Sequence, residues 1–234
     1  MTANDLPGRY AETQTRIASA ALRYGRAAGS VGLVAISKGH GPGAIRGLAR
    51  LGQRDFGENY LQEAGPKLQQ LADLGLTWHF TGQIQGNKTR PIAESFAWVH
   101  TLDRERIAQR LNEQRPPGAP PINVCLQVRL EDEAGKGGVA PAEVGQLALQ
   151  LREYPRLRLR GLMAIPPHQE SFEAQRAGFE RLASCMADLN ARGFALDTLS
   201  MGMSDDLEAA IAAGATWVRI GTALFGERPR AGGV

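Results

Sequence analysis

Residues 31–59, "VGLVAISKGHGPGAIRGLARLGQRDFGEN", contain one full period of the fold. The opening "VGLVAIS" (31–37) is a short continuous apolar run and reads as a strand buried on both faces. "GAIRGLARLG" then spaces its apolar residues as a helix does, and "RDFGEN" (54–59) reads as the next strand. Strand, helix and strand in so short a stretch describe a parallel β-α-β unit.

The rhythm extends in both directions. Upstream, Leu6, Tyr10, Ile17, Ala21, Tyr24 and Ala28 recur at helical spacing before the breaker Gly29, which predicts an additional N-terminal helix. Downstream, "LQEAGPKLQQLADLG" is a helix despite Pro66. "TWHFTG" (77–82) and "WVHTLD" (98–103) are strands, each followed by a helix, "NKTRPIAES" and "RERIAQRLNEQ". "INVCLQVRL" (122–130) follows the breaker "RPPGAPP", and a glycine-rich connection leads to a helix opening at Pro141, a favoured first-turn residue. The strands "LRLRGLMAI" (157–165), "LDTLSMG" (196–202) and "WVRIGTALFG" (217–226) complete the count, separated by a long helix over 171–192 and one opening at Ser204.

Eight strands alternating with helices within 234 residues match a single parallel (β/α)8 TIM barrel with an extra N-terminal helix. An open doubly wound sheet is the rival, but it usually needs fewer strands, and no G-x-G-x-x-G follows the first one. Without a long polar linker, the expectation is one domain over 1–234.

Composition narrows the function classes. A formal charge of +3, with arginines scattered along the chain, does not make a nucleic-acid footprint. No apolar run approaches a membrane span, and the N-terminus lacks the core of a secretory signal. Cys125 and Cys185 sit apart in apolar segments, as small buried residues of a reducing cytoplasm do. "EAGKGG" lacks the spacing of a P-loop.

Barrel enzymes work at the C-terminal ends of their strands. There the sequence sets Lys38, Asn59, His79, Arg129, the segment Ser200 to Ser204, and Arg219 to Thr222. A strand-end lysine commonly snorkels into water, but the apolar "AIS" before Lys38 offers a wall that would favour a nucleophilic amine. Ser204 reads as the N-cap of a helix beginning at Asp205, whose amides could hold phosphate; a plain capping serine explains it equally well. The tie is broken by "RIGTALFG", because barrels bind phosphate between the loops after strands seven and eight, where Gly221 and Thr222 fall. Arg219 shares the face of Gly221 and points inward, requiring a ligand or an ion pair with Glu58 or Asp103. Amine, phosphate cradle and inward arginine together suit a phosphorylated aldehyde. Pyridoxal 5′-phosphate (PLP) is one candidate, and other phosphorylated carbonyl compounds fit as well.

The segments "VAISK", "FGENYLQEA", "WHFTGQIQGNKTR", "VHTLDRERIAQRLN", "LRGLMAIPP" and "LSMGMSDDLEAAIAAGATWVRIGTALFG" resemble the pyridoxal phosphate homeostasis proteins across nearly the full length. The resemblance implies an alanine-racemase-like barrel in which Lys38 holds PLP as a Schiff base and Ser204, Gly221 and Thr222 bind its phosphate. It also implies that Arg219 faces the pyridine nitrogen, that Asn59 and His79 lie near the ring, and that Lys136 is a loop lysine. His79, between Trp78 and Phe80, reads by itself as a hydrogen-bonded core histidine rather than a catalyst, and Lys88 as a solvated or phosphate-facing charge rather than a second Schiff-base lysine. Three positions depart from the family pattern: "GH" follows Lys38 where threonine is usual, "AGKGG" lacks a serine before its final glycine, and Thr81 replaces a common isoleucine.

An arginine at the pyridine nitrogen remains a donor, so the ring nitrogen stays unprotonated and is a weak electron sink. That disfavours carbanion chemistry and leaves binding and handing over the aldehyde. The expected function is therefore a cytoplasmic, monomeric PLP carrier that buffers the cofactor or delivers it to PLP-dependent apo-enzymes, with little or no turnover. A weak PLP-dependent racemase is the alternative, although the polar tail "ERPRAGGV" supplies no β domain and only Tyr60 lies near a strand end. A Schiff-base aldolase or isomerase acting on a sugar phosphate is the third reading.

Overall fold

The computed structural model describes residues 5–130 and 137–227, so Lys136 and the polar tail from 228 lie outside the described residues. Among the described residues, eight strands pair in parallel, each with the next, and β1 (Gly32–Ile36) closes onto β8 (Trp217–Ile220). The others are β2 (Asp55–Glu58), β3 (Thr77–Phe80), β4 (Trp98–Leu102), β5 (Ile122–Gln127), β6 (Leu157–Met163) and β7 (Thr198–Ser200). The expected (β/α)8 barrel is what forms. Burial on both faces explains the lack of apolar-polar alternation in strands such as β4, every residue of which is buried.

Helices α1 (Leu6–Arg23), α2 (Pro42–Arg50), α3 (Leu61–Gln70), α4 (Thr89–Ser95), α5 (Glu105–Gln114), α6 (Pro141–Gln150) and α7 (Phe172–Ala191) match the periodic segments. Their ends follow local chemistry. The Asp5 carboxylate accepts the Gly8 N–H at the start of α1, and the Ser171 hydroxyl accepts the Ala174 N–H at the start of α7. The shell buries Ile45, Leu48, Ile92, Ile107, Leu111 and Phe179 against the outer face of the barrel. At about 25 cal/mol per Å2 of apolar surface, this burial is the main force holding helices to strands.

Two expectations at the C-terminal end need correction. The segment 217–226 is not one strand: β8 stops at Ile220, and Thr222–Phe225 forms a short helix, α9, because Gly221 (φ −116°, ψ −76°) turns the chain out of the extended region. The last inner helix, α8, spans Leu207–Ala212, with Asp206 rather than Ser204 at its N-cap position. Residues 203–206 form a turn instead, closed by the Met203 N–H donating to Asp206 Oδ1 at 2.6 Å. Gly202 launches that turn at φ +93°, a conformation that favours glycine, and an added Cβ would lie 2.5 Å from the Ala210 methyl.

Candidate functional site

A cleft of about 470 Å3 opens at the C-terminal ends of the strands. Lys38, Asn59, Ser204, Arg219, Gly221 and Thr222 all line it, joined by Arg16, Ile36, Thr81, Ile165, Met203, Asp205 and Ala223. Six of the seven site residues expected from sequence are thus brought together. His79 is not among them. It is fully buried in the barrel interior, where β3 directs it toward β2 and β4. Arg129 falls beyond the end of β5, and Lys88 lines a neighbouring cleft that also includes Asn59, Tyr60, Gln83 and Gln85.

Lys38 sits one residue beyond Ser37, whose N–H donates to the Gly57 carbonyl and extends the β1–β2 pairing past Ile36. Both neighbours of Lys38 are tied to α3. Lys67 Nζ donates to the Ser37 carbonyl at 2.9 Å, and the Gly39 N–H donates to the Glu63 carboxylate at 2.7 Å. Gly39 is at φ +76°, so the glycine after the lysine has a conformational reason. His40 stacks on Phe225 with ring centroids 4.6 Å apart, linking the loop after β1 to α9.

The opposite wall comes from β7, β8 and their loops. The Ser204 hydroxyl accepts the Ala223 N–H at 3.4 Å, which clasps the two loops together. Arg16, on α1, donates to Glu208 (Nε, 2.9 Å) and to the Ser204 carbonyl (Nη2, 3.1 Å), fastening the N-terminal helix to the same corner. Sequence reasoning missed Arg16 because nothing local distinguishes it from other helical arginines; its role depends on where α1 lies across α8 and α9. Thr81 was noticed only as a departure, yet its hydroxyl donates to Asn59 Oδ1 at 3.0 Å and orients that side chain.

Arg219 forms the floor and is almost fully buried. It makes no ion pair with Glu58 or Asp103. Its Nη1 donates to Ser200 Oγ at 2.9 Å and its Nη2 to the Ala164 carbonyl at 3.1 Å. Glu58 points outward from the barrel and is bound instead by Lys67 (2.7 Å) and Ser37 (2.6 Å). Burial lowers the Arg219 guanidinium to about 10, partly opposed by the Asp206 carboxylate, so it is a cation at neutral pH. Among the described residues of the lining, Arg16, Lys38 and Arg219 stand with one carboxylate, Asp205, a balance of charge that suits an anionic ligand. Among the described residues no cluster of histidine, cysteine, aspartate or glutamate could hold a metal ion.

The model of the alanine racemase N-terminal domain family matches residues 16–229. The chain is 59% identical to the pyridoxal phosphate homeostasis protein of Pseudomonas aeruginosa over 93% of its own length and 94% of that protein. It is 49% identical to the protein of the same name from Escherichia coli, over 96% of this chain and 97% of that one. Among solved structures it is similar to PipY of Synechococcus elongatus with PLP bound, at a TM-score of 0.81 and 40% identity, covering 91% of this chain and 99% of PipY.

Proposed function

Because this chain belongs to the pyridoxal phosphate homeostasis proteins, within the alanine racemase N-terminal domain family, we propose that it binds PLP and serves intracellular PLP homeostasis. The observation that carries the reading is the convergence of Lys38, the loops holding Ser204, Gly221 and Thr222, and Arg219 on one cationic cleft. PLP supplies an aldehyde that a lysine amine can hold covalently, a phosphate and a ring nitrogen that accepts a hydrogen bond. The donor set fits those three groups. Lys38 attaches the aldehyde. The amides of Gly221 and Thr222, the Ser204 hydroxyl and Arg16 would receive the phosphate. Arg219 donates to the ring nitrogen, and Asn59, oriented by Thr81, lies beside the ring.

A cationic donor at the ring nitrogen keeps that nitrogen unprotonated, which favours storage and handover over carbanion chemistry. The cleft lining supports the same reading: among the described residues it contains no tyrosine, histidine or cysteine to exchange a proton on the second ligand face. Tyr60 is 56% exposed and lines the neighbouring cleft. We further propose that the whole of 1–234 acts as one unit, as a monomer in the cytoplasm, delivering PLP to apo-enzymes that depend on it. No helix among the described residues is long and apolar enough to cross a membrane.

The test is retention of PLP after desalting. The protein should emerge with the visible absorption of bound PLP, and Lys38→Ala should lose it while keeping its unfolding midpoint. Equal retention by Lys38→Ala would refute the attachment. Proton exchange at the α-carbon of alanine would move the reading to a racemase.

A further inference from the structure

Beneath the cleft, five strands contribute one side chain each to an unbroken hydrogen-bonded chain. Arg219 Nη1 donates to Ser200 Oγ (2.9 Å), Ser200 Oγ lies 2.7 Å from His100 Nδ1, His100 Nε2 lies 2.8 Å from His79 Nδ1, and His79 Nε2 lies 3.0 Å from Asp55 Oδ1. Ser200 and both histidines are fully buried, whereas Asp55, at the first residue of β2, is partly exposed. The chain therefore leads from the cleft floor to the opposite end of the barrel. Trp98 stacks on His79 with centroids 5.6 Å apart and tilts against His100 at 5.8 Å, so both imidazoles are held by packing as well.

The donors follow from the two ends. A guanidinium can only donate and an ionised carboxylate can only accept. With Asp55 accepting from His79 Nε2–H, a neutral His79 must accept at Nδ1 from His100 Nε2–H. His100 then accepts at Nδ1 from the Ser200 hydroxyl, whose oxygen accepts from Arg219. Every group is satisfied, both histidines are neutral, and all four bonds point the same way. The competing arrangement adds one proton, makes His79 an imidazolium and turns His100 Nδ1–H toward Ser200. It would place a second cation in the interior that already holds Arg219, and desolvation opposes it.

We propose that Ser200, His100, His79 and Asp55 are positioning residues that hold the Arg219 guanidinium turned toward the cleft and so set the hydrogen bond it offers to the PLP ring nitrogen. The inference rests on the functional reading above for its ligand, but the direction of the chain belongs to the protein alone. A buried acceptor for Nη1 restrains a cation that would otherwise swing toward the phosphate corner or Asp205. Because each link polarises the next, a change at the ring nitrogen is felt at His100.

The direction is read first, by nitrogen-15 NMR of the imidazoles in the protein without PLP. Both buried rings should be neutral at about pH 7 to 8, with Nε2 protonated and Nδ1 bare. An imidazolium, or an Nδ1–H tautomer in either ring, overturns the proposal. Ser200→Ala then removes one link. It should release PLP about tenfold faster, the consequence of losing a buried bond to a charged group, and shift the absorption band of the bound cofactor. Wild-type release with an unshifted band, in a variant that keeps its melting curve, also overturns it. If Ser200→Ala does not fold, the second readout is the His100 resonance of the wild type, which must move when PLP is added. Failure of the wild type to take up PLP at all would defeat the functional reading while leaving the ring tautomers to decide the chain.

Discussion

Among the described residues, Arg219 is buried without an ion pair to a carboxylate, and its donors meet a hydroxyl and a backbone carbonyl instead. Neutral acceptors satisfy the N–H groups without neutralising the charge, which leaves the cation available to a ligand. Arg16 is the contrasting case, a half-exposed arginine held by Glu208 at the rim of the same cleft. An ion pair so open to solvent adds less than about 1 kcal/mol to stability. Arg16→Met should therefore leave the unfolding midpoint nearly unchanged while PLP retention falls about fivefold, measured by release into a trap. Lost stability with unchanged retention would assign Arg16 to packing alone.

At the scale of elements, the segment carrying Lys38 is anchored by a polar cluster between the β1–β2 edge and α3. Burial raises the Glu58 carboxyl, with Lys67 and Ser37 pulling it back, and its Oε2 has no hydrogen-bond partner. Lys67 is 6% exposed and Glu58 fully buried, so the pair is not screened by water. Lys67→Met would leave a buried acid without its cation and should cost about 3–5 kcal/mol in urea unfolding. Adding Glu58→Gln to that variant should restore much of the loss, because the stranded charge is then gone. An equal cost in the double variant would trace the effect to helix packing. The cluster also holds Ser37 and Gly39, so its geometry bears directly on where the Lys38 amine stands.

For the whole molecule, the barrel interior makes stability depend on pH. Burial lowers His79 below its ordinary value of 6.5, against the raising effect of Asp55, and lowers His100 further, with His79 and Arg219 adding to the shift. In the unfolded chain both rings take up protons as the pH falls through about 6.5, while the folded protein keeps them neutral. Their contribution is therefore complete above that pH and is lost as the pH falls toward the depressed folded values, by up to about 1.4 kcal/mol per pH unit for each ring. Urea unfolding between pH 7.5 and about 5.5 should show this slope. Glu58, Asp103 and Asp206, all raised by burial, act in the opposite sense and reduce the net slope. Flat stability across that window would sink the idea.

Strand-helix alternation determined the barrel, because a strand buried on both faces is written locally as an apolar run bounded by turns, as in residues 31–37. The count of eight then assigned Lys38, Ser204, Arg219, Gly221 and Thr222 to one end, and the cleft brings them together. Local signals misjudged the stretch after β7, where a serine before two acids looks like a cap but Gly202 and the Asp206 carboxylate hold a turn. His100 went unnoticed, and His79 was expected beside the ligand, because the chain joining them to Arg219 exists only across the barrel. Bonded neighbours in it are 19 to 100 residues apart in sequence, and the longest link, Ser200 to His100, crosses the interior of the closed barrel from β7 to β4. Periodicity records which face of an element is buried; which polar atoms meet inside depends on register and shear around a closed sheet, and only the tertiary structure decides that.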